Sequence, residues 1–337
     1  MADHEISLRL RDLGVAFGAE PAEAAPDGDR ANAAVDAAAE RLLPDRDLQF
    51  ERLTQVDANV DFRADAVQTV RVPLEAVTIR AKLTDGVMQL DPVVFTLPQG
   101  KLAGAITLNT RAPVPETDMD MRLSGVRLEQ FKPKNAAQGP FSGMLLARAQ
   151  LKGSGRSVHA VASSADGAMT AVIPRGQVRE AIAELTGINL LRGLGLLLSQ
   201  SDETANIRCG VAEFEVNGGR AKAERLVLDT EHVLVIGKGD IDLDEEALDL
   251  ELSGKPKKLR LGRLRSPITV GGTLRHPAFG IKAEKAAAQG GIAAALGALL
   301  GPIAAALAFV DPGLEKDADC VALLAEAGVS APPAAAR

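Results

Sequence analysis

The sequence contains no tryptophan and no tyrosine, and phenylalanine occurs only nine times. A β-barrel embedded in lipid needs girdles of aromatic side chains at both interfaces, so this composition argues against such a barrel. A basic excess is also missing, because the formal net charge is −7. Nucleic-acid binding needs a concentration of Lys and Arg to neutralise phosphates, and we therefore predict no nucleic-acid partner.

Cysteine is almost as rare as the aromatic residues, with two in 337 residues. Two cysteines are compatible with one disulfide in an oxidising compartment or with two reduced, buried thiols. The first ten residues, MADHEISLRL, carry charges where a signal peptide needs an apolar core. No targeting segment is therefore predicted. The alternatives are a cytosolic protein or the soluble part of something longer.

The usual patterns of catalytic and metal-binding residues are also absent from the sequence. The four histidines, at 4, 159, 232 and 276, are scattered and lack metal-ligand spacing. Gly237-Lys238-Gly239 lies between predicted strands, whereas a phosphate-binding loop leads into a helix. Most acidic residues alternate with apolar ones, which is typical of a solvated strand face rather than of an acid–base pair. The sequence therefore predicts a protein that is not an enzyme, with no cofactor and no metal.

What the chain does contain is long stretches of period-two alternation. Ala212, Phe214 and Val216 alternate with glutamates and an asparagine, and the same rhythm recurs through residues 207–282 and 48–123. Glycine-rich or asparagine-glycine turns separate the runs about every ten residues. Period two gives each strand one apolar and one polar face. The fold class is therefore mainly β, an antiparallel meander whose apolar face is either closed core or an open trough.

Other segments interrupt the meander. Residues 18–31, rich in Ala, Glu, Pro, Asp and Gly, predict a mobile loop, and residues 32–43 predict a short helix. Residues 178–198 show helical spacing of Ile and Leu, although three glycines weaken it. Residues 286–310 carry no charge, but Ala and Gly dominate them and Pro302 lies inside. A helical hairpin over 284–310 is the leading interpretation; a membrane-surface contact through 286–310 and a membrane span are the alternatives.

Three sequence words carry a resemblance to a known family. They are IRCGVAEFEVNGG, GKGDIDLDEEALDLELSGKPK and LRSPITVGGTLRHPAFGI. With them, residues 185–324 resemble the C-terminal region of the AsmA family of Gram-negative envelope proteins, while residues 1–180 match only in style. We therefore divide the chain into a β-meander groove region (1–180), an AsmA-like C-terminal region (181–324) and a disordered tail (325–337).

The resemblance implies a fold, a ligand and a location. It implies that the meander curls into an elongated groove or open barrel, with a few short helices and a C-terminal Ala/Gly-rich helical segment. It also implies a periplasmic domain, tethered to the inner membrane in the full-length protein, that carries phospholipid acyl chains and contributes to outer-membrane assembly. The anchor is absent from this chain, and the resemblance names no protein partner. A matching cysteine pair in the family implies a disulfide between Cys209 and Cys320.

Twelve apolar residues are predicted to line the groove. They are Val56, Val60, Phe62, Met119, Met121, Leu123, Phe214, Val216, Ile241, Leu243, Leu248 and Leu250. The alternative is a structural or scaffolding protein of envelope assembly, in which these side chains fill a closed core and no lipid binds.

Overall fold

A computed structural model describes residues 4–10, 13–15, 41–48, 50, 56–65, 67–69, 74–131, 141–179, 204–258, 266–282 and 314–329, with isolated positions at 287–288, 291–292 and 298. Strands dominate these residues, which confirms the predicted mainly β class. The strands of the N-terminal half are β1 (His4–Leu10), β2 (Leu13–Val15), β3 (Ala58–Asp65), β4 (Val67–Thr69), β5 (Ala76–Thr84), β6 (Val87–Thr96), β7 (Lys101–Asn109) and β8 (Glu116–Arg127). Those that follow are β9 (Phe141–Ser154), β10 (Asp166–Ile173), β11 (Gly176–Arg179), β12 (Thr204–Asn217), β13 (Arg220–Thr230), β14 (Val233–Asp242), β15 (Ala247–Pro256), β16 (Ile268–Gly272) and β17 (Pro277–Ile281).

Fifteen of the strands form one sheet in nearly sequential order. The hydrogen-bonded strands lie in the order β1-β3-β5-β6-β7-β8-β9-β10-β12-β13-β14-β15-β16-β17. The short β11 lies off this order and pairs with both β9 and β12. Within this sheet every pairing is antiparallel except that of β1 with β3. β2 and β4 form a separate parallel pair. In the described residues the first and last strands of this path do not pair with each other, so the sheet is an open meander and not a closed barrel.

The strand register separates an apolar face from a polar face. Residues directly opposite each other on paired strands share a face of the sheet. One such row crosses eleven strands and contains only apolar side chains and one glycine: Val60, Ala81, Leu90, Ile106, Met119, Leu151, Gly167, Val216, Ala221, Ile241 and Leu248. We call this the inner face. A neighbouring row on the outer face reads Asn59, Lys82, Gln89, Thr107, Asp118, Lys152 and Asp166.

Irregularities in the register favour curvature. The pairing shifts within β6 between Leu90 and Val93, within β8 between Leu123 and Val126, and within β13 between Lys222 and Leu226. An extra residue on one strand bends that strand and increases its local twist. Repeated bulges therefore allow the long sheet to curl around its inner face, as the family resemblance implied.

Two short α-helices and a 3₁₀ helix at Leu128–Phe131 have described bounds. α1 (Val158–Ser163) joins β9 to β10, and its N-cap Ser157 accepts a hydrogen bond from the Ala160 amide. α2 (Cys320–Glu326) begins at Asp319, whose side chain accepts from the Ala322 amide. Both caps satisfy amides that a helix start leaves without an internal partner. No helix of the described chain is long and apolar enough to span a bilayer.

Two predicted helix boundaries are wrong where the structure describes them. Val178 and Arg179 belong to strand β11 rather than to a helix over 178–198, because Val178 is buried between Phe141 and Ala205 in the sheet. Residues 41–43, the end of the predicted helix 32–43, are not helical, because the Leu42 and Leu43 amides donate to the Glu246 carboxylate instead. The remainder of both segments lies outside the described residues.

Three other predicted segments are described little or not at all. The loop 18–31 lies outside the described residues. Of the hairpin 284–310, only positions 287, 288, 291, 292 and 298 are described, and they are helical. In the tail 325–337, residues 325–326 complete α2 rather than being disordered, and 330–337 lie outside the described residues.

Candidate functional site

An apolar cavity of about 740 Å³ lies on the inner face, within the part of the sheet from β9 to β17. Phe141 on β9 and Phe279 on β17 both line it, although seven other strands connect them in the chain, so this part of the sheet curls around the cavity. The described lining residues are Phe141, Leu145, Ala171, Ile173, Val178, Gly210, Val211, Ala212, Leu226, Val227, Leu228, Thr230, Val235, Gly237, Leu252, Ile268 and Phe279. Of these, only Thr230 has a polar side chain, and its hydroxyl is engaged with the backbone of Val233.

Small residues on the central strands leave the space. The inner-face row that passes through Leu123 continues through Ala147, Ala171, Ala212, Leu226, Gly237, Leu252 and Ile268. Because the alanines and the glycine of this row have small side chains, they leave a recess between the leucines. A Cβ atom at Gly237 would come within 2.8 Å of Leu226 and Leu252 side-chain atoms, so glycine there lets those leucines approach each other.

The structure places ten of the twelve predicted groove residues on the inner face. Val56 precedes β3 and is 49% exposed, and Leu243 follows the end of β14. None of the twelve is among the described lining residues of the cavity. The ten inner-face residues are Val60, Phe62, Met119, Met121, Leu123, Phe214, Val216, Ile241, Leu248 and Leu250.

Several of the predicted groove residues pack in clusters of the protein's own apolar side chains. Val216 and Leu243 are buried with Ala165 and Ala221, and Phe214 and Ile241 pack against this cluster. Phe62 packs in a second cluster, around Ala64 and Val77. At these positions the inner face is closed by protein side chains.

The cavity residues that the prediction missed follow the same alternation, one step further along each strand. Ala212 and Gly210 continue the series of Phe214 and Val216, and Leu252 continues that of Leu248 and Leu250. Large apolar residues drew the prediction toward one end of the strands. The signal for the cavity was the replacement of large by small residues at the other end.

The outer side of the cavity wall is held by the C-terminal segment, residues 314–329. A disulfide joins Cys209 on β12 to Cys320 on α2, with 5.7 Å between the Cα atoms. Leu324 of α2 is buried beside Val172 and Val211. Val172 alternates along β10 with the cavity residues Ala171 and Ile173, so it lies on the outer face behind the cavity. Strands β10 and β12 are therefore packed from behind by α2 while their inner face borders the cavity.

An ionic cluster fixes the same segment. Asp229 is completely buried and accepts hydrogen bonds from the Lys257 ammonium and from the Ala318 amide at 3.1 Å. It also forms an ion pair with Arg208 at 3.2 Å. Lys257 also contacts Asp317 at 2.6 Å. This hydrogen bond from Lys257 is the main reason why the pKa of Asp317 lies below its usual value. The cluster joins β12, β13 and the end of β15 to residues 317 and 318.

The described histidines lie on separate elements of the fold. His159 is buried, with Nε2 at 2.8 Å from the Asp244 carbonyl oxygen and 3.0 Å from Arg41. His232 and His276 lie in other connections of the sheet. Within the part of the chain that the structure describes, no group of three His, Cys, Asp or Glu side chains could hold a metal ion.

A family model and a curated relative match this chain. The model of the AsmA family matches residues 5–226, more than half of the chain. The AsmA family protein YhjG of Escherichia coli (strain K12) is 27% identical over 325 residues, which cover 95% of this chain and 47% of that relative. This chain therefore spans about half the length of the relative. No solved structure matches this chain. The family match includes the N-terminal region, which resembled the family only in its general pattern of short strands and glycine turns. The chain belongs to the AsmA family.

Proposed function

We propose that this protein is a non-enzymatic periplasmic domain that shields phospholipid acyl chains in the inner-face cavity. By doing so it contributes to phospholipid transport between membranes and to outer-membrane assembly. The observation that carries the proposal is the cavity of about 740 Å³ with an almost wholly apolar described lining.

The size and lining of the cavity fit an acyl chain. Ligand sites commonly enclose roughly 300–1,000 Å³ and are lined mainly by apolar side chains. Each CH₂ group removed from water contributes about 0.8 kcal/mol, so a chain of many methylenes gains substantial binding energy without any polar contact. The described lining contains no carboxylate, imidazole, amine or thiol. These properties favour binding without covalent chemistry.

Membership of the AsmA family supports a role in the cell envelope. The Cys209–Cys320 disulfide supports an oxidising compartment such as the periplasm. An inner-membrane tether in a longer protein, and contact of residues 286–310 with a membrane surface, belong to the same proposal. A scaffold with no lipid ligand is the alternative; the closed cluster around Val216 and Leu243 favours it for that end of the sheet, but it leaves the cavity unused.

Native mass spectrometry with lipid extraction tests the proposal on protein purified from a Gram-negative envelope. We expect bound phospholipid and no free thiol. Ala171→Phe places a ring in the cavity and should lower the bound lipid. Ala168→Phe is the matched control, because Ala168 is an exposed residue on the same strand that alternation assigns to the outer face. Lipid-free wild-type protein, or equal lipid in both variants, would contradict binding in the cavity.

A further inference from the structure

One end of the curled part of the sheet is closed. This is the end that carries the β9–β10, β12–β13, β14–β15 and β16–β17 connections, and we call it the turn end. Residues 41–48 (the strap) lie across it. The Leu42 and Leu43 amides donate to the Glu246 carboxylate at 2.6 and 2.8 Å, in the β14–β15 connection. At the strap's other end, Leu48 donates to the Arg156 carbonyl at 2.9 Å, in the β9–β10 connection.

The inner face behind the strap is filled. Ala165, Val216, Ala221 and Leu243 are each at most 8% exposed and pack together, and Ala162 of α1 covers them. The His159 amide donates to the Pro44 carbonyl at 3.1 Å, so α1 and the strap are also joined to each other. An acyl chain lying along the inner face would have to displace this core to leave by the turn end.

The cavity reaches the surface at β17. Every residue of β17 is exposed, and within the described residues this strand pairs only with β16. Phe279 lines the cavity and is nevertheless 74% exposed, and Ile281, two residues further along the strand, is 48% exposed. Exposed apolar side chains continuous with an apolar recess are the usual sign of a ligand entrance rather than of an ordinary surface.

We infer that acyl chains enter and leave the cavity sideways across the β17 edge, past Phe279, and that the turn end is a blind end. This inference rests on the proposed function and adds the route: the domain exchanges lipid through one lateral mouth and does not pass it from end to end of the strands. Phe279 would contact the chain during transfer, and Leu252 and Ile268 would receive it. The ligand is the hydrocarbon part of a phospholipid drawn from a bilayer.

Site-specific photocrosslinking tests the route. A benzophenone amino acid is placed, one position at a time, at Phe279, at Leu42 and at Val321. Leu42 lies 53% exposed in the strap at the turn end, and Val321 lies 66% exposed on α2. Each protein is irradiated with vesicles of phosphatidylethanolamine and phosphatidylglycerol that carry a labelled acyl chain. We expect labelling at 279 and little at 42 or 321.

A transfer assay gives a second readout. Phe279→Asp should slow lipid uptake from the same vesicles by about tenfold, the effect of roughly 1.4 kcal/mol on a barrier. Val321→Asp, an equally exposed apolar position, should leave the rate unchanged. Labelling at 42 comparable to that at 279 would show passage through the turn end, and equal labelling at 321 would show non-specific contact. Either result overturns the route while lipid binding stands. Absence of lipid at every position and in the purified protein would instead overturn the proposed function.

Discussion

At the scale of single residues, Asp229 shows how a charge can be buried in an otherwise apolar wall. Its carboxylate is completely buried but accepts hydrogen bonds from Lys257 and the Ala318 amide and forms an ion pair with Arg208. A buried charge is tolerated only when it is paired and hydrogen-bonded, since desolvation costs several kcal/mol. The pairing joins two sheet strands to the C-terminal segment, so the residue couples local electrostatics to the docking of α2.

We expect Asp229→Asn to destabilise the protein by about 3 kcal/mol, because Lys257 is only 7% exposed and would lose its closest partner. Urea unfolding measures the change. Asp118→Asn is the control, because it breaks an ion pair with Lys152, 2.8 Å long, in which both side chains are more than half exposed. That control should cost no more than about 1 kcal/mol. Equal effects of the two substitutions would contradict the role given to burial.

Asp317 gives the cluster a pH dependence. Its pKa is lowered, mainly by the hydrogen bond from Lys257, so folding favours its charged form. Such a group contributes stability above its unfolded pKa, and this contribution is lost as the pH falls through the lower, folded pKa. Asp317→Asn should therefore lower the free energy of unfolding at neutral pH and make little difference in acid. The effect on the free energy of unfolding is small because the Asp317 side chain is half exposed. If the difference between wild type and Asp317→Asn grew as the pH fell, Asp317 would not be the group responsible.

At the scale of elements, the disulfide holds a seven-residue helix that could not persist alone. Cys209 and Cys320 are separated by 111 residues, for which the chain-entropy model gives about 4–5 kcal/mol of stabilisation. Reduction should lower the urea midpoint and accelerate amide exchange in residues 320–326. The variant Cys209→Ala with Cys320→Ala should exchange rapidly with and without reductant. If the amides of residues 320–326 stayed protected from exchange in this variant, the Asp229 cluster and Leu324 would be enough to hold α2 on the sheet.

The strap depends on one carboxylate. Glu246 is 2% exposed and occupies a positive φ of 53°. Its position is maintained by the amides of Leu42 and Leu43. Glu246→Ala leaves two amides without their acceptor and should cost about 1–3 kcal/mol, with faster exchange at residues 42 and 43. Glu245→Ala, at the exposed neighbouring position, should change neither quantity. Unchanged exchange in Glu246→Ala would mean that the contacts at Arg156 and His159 alone hold the strap.

The same scale shows what the sequence could reveal. Strand existence and the two faces followed from alternation, since period two is a local property of each strand. The strap did not, because residues 41–43 are fixed by Glu246, more than two hundred residues away. Val178 likewise joined a strand because Phe141 and Ala205 flank it in the sheet. Which end of the inner face is filled and which is hollow depends on α1 and on the curl, and neither can be read from a strand's own residues.

At the scale of the whole molecule, the apolar face must be either filled or covered, and its two ends differ in this respect. The turn end is filled by the cluster around Val216, whereas an apolar cavity remains at the other end. A ligand that binds only the folded state stabilises it by mass action, about 2.7 kcal/mol at a hundredfold excess over Kd. Gentle delipidation should therefore lower the unfolding temperature, and added phospholipid should restore it.

In Ala171→Phe the ring replaces part of the ligand, so lipid should change the unfolding temperature less, whereas Ala168→Phe should respond like the wild type. A lipid-independent unfolding temperature in the wild type would mean that the curled sheet is stable around an unliganded cavity and acts as a scaffold.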